Sequence, residues 1–507
     1  MQQESAKPGP AERSSPLVWD TIVRITESVG TDEARSIRVL LYLAIVAGKE
    51  RTFWNRLRDR ARFCRRLRAP HSRHLPAVAK GRPLFAFLYD TPANTNNLLP
   101  VFQAAQKRGA QPSILKGEGV DLSRFSLRDV AGSVSVTELM GVTTMGEWSA
   151  ALMGARRHFA AVSAEFERQE PQWAGIIRSN RIGIMSELAL AMIATRGLSR
   201  LYEMWEPSWI ISPSNLWPFD CAVYTEARRV GIHSFVVQHG ATNHFWWPFV
   251  ASKMFLWGKL FESEILKLGA PAEHLAISGM SAADHLLSRY SGNTAGRSVA
   301  PAASYVILSH THARIFNPAP YSSYRTFLKA VVAATPSIRW TIKLHPVEDE
   351  SFYRDMLDGR FPNFSILPKS TTLGAAVTQA DVACTLFSTA GLETMMMGRP
   401  LVVFDVDPLN HQSQTIWWPK HGGGTYVPTA EAMLDFVKKA SSDGQFVADL
   451  VAKQNQFLAE NFANPGHAAD AILDSIQEFV RTAASETPEG HRVNPNDTDR
   501  HEITKKR

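Results

Sequence analysis

Along most of the chain, short apolar runs alternate with stretches of 3.6-residue periodicity. The first series opens at residues 84–89 (LFAFLY) and continues at 112–115, 209–212, 234–237, 253–257 and 275–278. Each run is short, continuously apolar and bounded by polar or glycine-containing turns, the pattern of a parallel strand buried on both faces. Helical patterns separate the runs at 98–108, across most of 120–205, and at 219–230 and 259–267. A small-residue segment, 291–303 (SGNTAGRSVAPAA), breaks the pattern and reads as a linker. A second series follows at 305–308, 339–344, 364–367, 382–386, 401–404 and 425–427, with helices at 321–334, 371–379 and 430–483. Strands alternating with helices give parallel sheets. The expected fold is α/β, with two Rossmann-like domains facing a cleft and a helical N-terminal extension. The expected boundaries are 1–16 and 485–507 disordered, 17–82 a basic helical extension, 83–290 the first domain, 291–303 the linker, and 304–484 the second domain.

Composition changes this picture little. The 507 residues are 45% apolar and 20% charged, which is globular. Cys64, Cys221 and Cys384 lie far apart without metal-ligand spacing, so a reducing cytoplasm is the expected setting. The polar, Pro-containing start does not read as a signal peptide, and the apolar run 39–47 is too short to cross a bilayer. Charge adds more. Between Lys49 and Arg82 stand twelve Lys/Arg and two acids, with Phe53, Trp54 and Phe63 interleaved. This stretch suits an anionic membrane surface at the inner face of the plasma membrane. The plain alternative is a solvated helix packing its aromatic side on the body; nucleic acid is not an expected partner.

Open α/β sheets bind ligands beyond the carboxyl ends of their strands. Those ends here carry Asp90 to Asn96 with Asn94, then Gln238-His239-Gly240, then Ser309 to Arg314, then Lys343-Leu344-His345, and a turn at 387–391 containing Ser388 and Thr389. Ser388 or Thr389 is placed to cap the next helix, whose N-terminus suits phosphate, and Glu393 falls in its first turns. His239 is the candidate general base, because its ordinary pKa is near 6.5; Asp90 and Asp284 are the alternatives. Arg314 is placed to neutralise phosphate charge. The His310-x-His312 pair lacks a nearby third ligand, so no metal is expected.

The ordered set Gln238-His239-Gly240, Gly279 to Asp284, Ile307 to Arg314, Lys343-Leu344-His345-Pro346, Ala380-Asp381-Val382, Ser388-Thr389 with Glu393, and Gly398-Arg399-Pro400 carries a resemblance. The chain resembles GT-B glycosyltransferases of the capsule and teichoic-acid type: CDP-glycerol glycerophosphotransferases, β-Kdo transferases and bacterial polysialyltransferases. The resemblance covers about residues 205–410. It implies a nucleotide-activated sugar or glycerol donor, CMP- or CDP-linked in preference to UDP-linked, with no tightly bound cofactor. It also implies a polysaccharide or lipid-linked acceptor. It gives His345, with Lys343, Arg314, Ser388 and Thr389, the donor phosphates, and Glu393 the ribose. Gln238, Gly240 and Asn94 fall on the acceptor side. Two further readings stand beside it: a sugar-nucleotide 2-epimerase-like isomerase, and a non-catalytic, membrane-associated nucleotide-binding component.

Overall fold

The structure, a computed structural model, describes residues 16–47, 75–89, 91–117, 120–123, 130–290, 300–309, 320–345, 348, 350, 351, 353, 361–386, 388–404 and 418–486. Two all-parallel sheets organise it. The first has strand order β3-β2-β1-β4-β5-β6-β7, from β1 Leu84–Phe87, β2 Ser113–Lys116, β3 Gly132–Ser135, β4 Ile210–Ser212, β5 Ser234–Val237, β6 Lys253–Leu256 and β7 Leu275–Ile277. The second has order β10-β9-β8-β11-β12-β13, from β8 Ser304–Leu308, β9 Arg339–Lys343, β10 Phe364–Ile366, β11 Val382–Thr385, β12 Leu401–Phe404 and β13 Thr425–Val427. All residues of β1, β5, β8, β11 and β12 are buried, because helices cover both faces. This is the two-domain GT-B-like architecture. In each sheet the order reverses beside the first strand, between β1 and β4 and between β8 and β11, and such switch points open a crevice at the strands' carboxyl ends.

Helices α1 Pro16–Val29, α2 Asp32–Ser36 and α3 Arg38–Ala47 precede the first sheet. After it begin α4 Pro92–Lys107, α5 Val136–Gly141, α6 Met145–Gln169, α7 Pro171–Ser179, α8 Arg181–Trp205, α9 Pro218–Arg229, α10 Lys259–Lys267 and α11 Ser281–Tyr290. Helix α8 is long and apolar enough to cross a membrane by length and composition. Its apolar positions instead build the core: Leu198, Leu201 and Trp205 pack with β1 and β4, and Ile184 and Leu188 pack with α1 and α6. The extension is seated on this layer through Trp19, Ile22 and Tyr42, and Trp19 Nε1 donates to the Trp247 carbonyl at 3.1 Å. Most of the basic stretch, residues 48–74, lies outside the described residues.

The second unit adds α12 Pro320–Ala334, α13 Leu373–Thr378, α14 Ala390–Met396, α15 Ala430–Ser442, α16 Gly444–Asn461 and α17 Ala468–Glu486. Helix α17 differs from expectation: it follows the second sheet in sequence but packs on the first. Ile472, Leu473 and Ile476 join Phe85, Phe87 and Phe102, and Arg108 pairs with Asp470 at 2.7 Å. The crossing is tight. A Cβ on Gly258 would lie 1.6 Å from the Asn461 carbonyl oxygen, and one on Gly279 (φ +100°) 2.3 Å from that of Ala463. Glycine is required at both points. One buried cluster spans the two units, with Ala241, Trp257 and Ala282 from the first and Leu308, Leu392 and Trp418 from the second.

Candidate functional site

On the first sheet the site is built on the turn after β4. Asp220 stands at the third position of α9, behind Pro218, and is fully buried. Its carboxylate accepts from Ser214 Oγ and from the N–H groups of Leu216 and Trp217, both at 3.1 Å. The turn is thereby folded so that the Pro213 carbonyl meets Nδ1 of His239, which follows β5. The His239 ring packs on Trp246 with centroids 4.9 Å apart. A carbonyl partner fixes Nδ1 as the protonated nitrogen and leaves Nε2 as an acceptor. Burial lowers the His239 pKa to about 4, so the ring is neutral at neutral pH. Burial also pushes Asp220 up to about 6, against the hydrogen bonds that lower it.

On the second sheet the site is built around Glu348, a buried carboxylate just beyond β9. It accepts from Ser309 Oγ, from the His345 N–H at 2.8 Å and from the Tyr353 hydroxyl at 3.0 Å. Ser309 Oγ also accepts from the His345 N–H at 3.0 Å. This network ties the carboxyl ends of β8 and β9 and positions His345. Burial lowers the His345 pKa, opposed by Glu348 and assisted by Lys343. Burial lowers Lys343 as well, and its Nζ donates to the Leu344 carbonyl at 3.3 Å.

The turn before α14 departs from expectation. Thr389 occupies the N-cap position with helical dihedrals and no side-chain cap bond, while Ser388 Oγ accepts from Ala390 N at 3.3 Å. The Gly391 N–H donates to the Ser388 carbonyl, and the Leu392 N–H to that of Thr389, both at 2.9 Å. The N–H groups expected to meet a phosphate are therefore held within the turn. Glu393 lies on α14, which packs against α11, and burial raises its pKa to about 7. The segment after His239 and helix α14 share the cluster between the two units, through Ala241 and Leu392. Ala241 lies two residues after His239, and Leu392 is the neighbour of Glu393 in sequence.

Other sequence candidates have structural work. Gln238 is buried: its Nε2 donates to the Gly240 carbonyl at 2.8 Å, and its Oε1 accepts from the Trp257 N–H at 2.9 Å. It braces the turn and is not an acceptor-side contact. Asp284 caps α17, with its oxygens 3.1 and 2.8 Å from the N–H groups of Ala468 and Ala469, a capping position unsuited to a general base. Asn94 donates to Thr91 Oγ1 at 2.7 Å, and its buried Oδ1 has no partner among the described residues. A Cβ on Gly240 would meet open space. Asp90, Arg314, His310 and His312 lie outside the described residues. Sequence reasoning missed Asp220 and Glu348. Asp220 carried a signal in Trp-Pro-Phe-Asp, proline at the first helical position and a carboxylate at the third. Glu348 carried only its place three residues after His345.

The sequence matches no protein-family model and no curated protein. Solved structures share the fold. A Listeria monocytogenes protein assigned as a UDP-N-acetylglucosamine 2-epimerase superposes with TM-score 0.51 and 12% identity over 80% of this chain and 98% of that one. Staphylococcus aureus MnaA with UDP gives 0.51 and 11% over 79% and 97%. The Neisseria meningitidis UDP-GlcNAc 2-epimerase bound to UDP-GlcNAc gives 0.50 and 10% over 78% and 100%.

Proposed function

We propose that the chain is a nucleotide-sugar enzyme that transfers a sugar or glycerol-phosphate unit from a nucleotide-activated donor to a hydroxyl of a surface-polysaccharide or lipid-linked acceptor. The observation that carries this reading is the state of His239. Its Nδ1 is committed to Pro213, its ring is neutral, and Nε2 is left to take a proton. That is the requirement for activating an acceptor hydroxyl. The second unit supplies the complementary half. Lys343 and the His345 imidazole stand at the carboxyl edge beside the switch strand, with the hydroxyls of Ser388 and Thr389, to stabilise the departing phosphate. Glu393 would take the ribose. The proposed setting is the cytoplasm, at the inner face of the plasma membrane where a lipid-linked acceptor would be met.

The base of the nucleotide needs revising. Two of the fold neighbours named above hold UDP or UDP-GlcNAc, and neither holds a cytidine nucleotide. Those neighbours also support the second reading, a 2-epimerase. That reaction needs a base for the C2 proton of the sugar and no acceptor. Asp220, the buried carboxylate of the turn that meets His239, is occupied in folding that turn, which favours transfer. Incubation with a panel of UDP- and CDP-sugars in D2O, followed by NMR, separates the two. Deuterium at sugar C2 without acceptor would establish the epimerase and overturn transfer. Release of nucleotide only when an acceptor glycan or lipid is added, with C2 unlabelled, is the result expected.

A further inference from the structure

Helix α6 presents a solvent stripe at Met145, Leu152, Met153, Arg156, Arg157 and Ala160, the spacing of one face of a helix. Met145 is 75% exposed, Met153 63% and Leu152 38%, and they belong to the short group of large apolar side chains left in water among the described residues. Between Trp148 and Ala164 the helix carries no acid, and its cations on this stripe are Arg156 and Arg157. The flanking acids are matched: Glu147 pairs with Arg200 at 2.7 Å, and Glu165 pairs with Arg168.

A cavity of about 510 Å³ opens beside the stripe, between α6, α8, α9 and the turn before α2. Arg157 and Arg196 line it, and both are exposed. The acids that line it already have partners. Asp32 meets Arg35 and Arg228, Glu226 meets Arg229, and Glu33 faces His158 at 3.8 Å. Arg156, Arg157 and Arg196 have no carboxylate partner among the described residues.

We infer that this face of the first unit docks on an anionic phospholipid surface, with the α6 stripe in the interface and the three arginines on headgroup phosphates. Protruding, flexible apolar side chains beside unpaired guanidinium groups match a surface that is apolar below and phosphate-bearing above. Charge argues against the chain's own 49–82 stretch as the occupant, since its twelve Lys/Arg would be held against further arginines. The inference is independent of the nucleotide chemistry and rests on residues outside the 49–82 stretch.

The test is co-sedimentation of the full chain with vesicles of phosphatidylglycerol and phosphatidylcholine in equal parts, beside pure phosphatidylcholine. Wild type is compared with Met145→Asp/Met153→Asp and with Arg156→Glu/Arg157→Glu/Arg196→Glu. All these positions are solvent-exposed, and circular dichroism verifies folding. Wild type should bind the anionic vesicles in a salt-sensitive manner, and each variant should lose about tenfold or more in partitioning. Nucleotide binding should be unchanged in both. Variants that sediment like wild type, or a wild type that ignores anionic vesicles, would overturn the inference. So would a dimer in light scattering that the Met145→Asp/Met153→Asp variant abolishes, which would assign the face to a second copy of the chain.

Discussion

Nδ1 of His239 meets the carbonyl oxygen of Pro213, so the tautomer of one ring is set by a turn twenty-six residues earlier in the chain. Without that carbonyl, proton and lone pair would be free to exchange places between the two nitrogens. The expected consequence is that His239→Ala lowers turnover by about 10²–10⁴-fold, the range of a lost general base. Nucleotide affinity, measured by calorimetry in the same variant, should stay within about twofold of wild type, because the donor-side residues lie on the other sheet.

The turn itself rests on Asp220. Asp220→Ala removes the acceptor for Ser214 and for two backbone N–H groups inside the protein. Stability should fall by about 2–4 kcal/mol in denaturant titrations, the range for buried donors left unpaired. A loss below about 0.5 kcal/mol would mean the turn is held by something else.

Glu348 makes the same argument on the second sheet. Glu348→Ala leaves the Ser309 and Tyr353 hydroxyls and the His345 N–H without their shared acceptor. Both stability and nucleotide affinity should drop, whereas Tyr353→Phe should cost only about 1 kcal/mol of stability. Calorimetry and urea unfolding on the two variants check the contrast.

The fold is largely legible in the sequence. Strands 234–237 and 401–404 are readable to the residue, because a parallel strand buried on both faces is a continuous buried run; the bounds of strand 425–427 and helix 259–267 are readable too, although Tyr426 is exposed. Strand β3 is not readable, since only Val134 of Gly-Ser-Val-Ser is buried. The placement of α17 on the first sheet was equally hidden, because an amphipathic stripe shows that a helix packs but not against what. At the site, strand ends pointed to His239 and His345, which lie where expected. They did not show that Gln238 and Asp284 are consumed by bracing and capping, since a polar side chain looks the same in sequence whether it meets a ligand or a backbone amide.

Glu393 gives a pH signature. Its folded pKa, raised by burial to about 7, exceeds the usual 4.5. The native state therefore holds its proton longer, and stability falls as pH rises from 4.5 through about 7. His239, lowered by burial to about 4, acts oppositely: its contribution is lost as pH falls from 6.5 through about 4. Urea unfolding across pH 4.5–8 should show a shallower decline in Glu393→Gln than in wild type. An unchanged slope would contradict the burial of the Glu393 carboxylate.

The central claim is that the second unit binds the nucleotide of an activated donor beside His345. Isothermal titration of the full chain with UDP and with CDP, for wild type and His345→Ala, tests it most directly. The account predicts that one of the two binds wild type and that affinity falls about tenfold or more in the variant, the loss of a charge-assisted phosphate contact. Absence of binding by both nucleotides, or equal binding by wild type and His345→Ala, would contradict it.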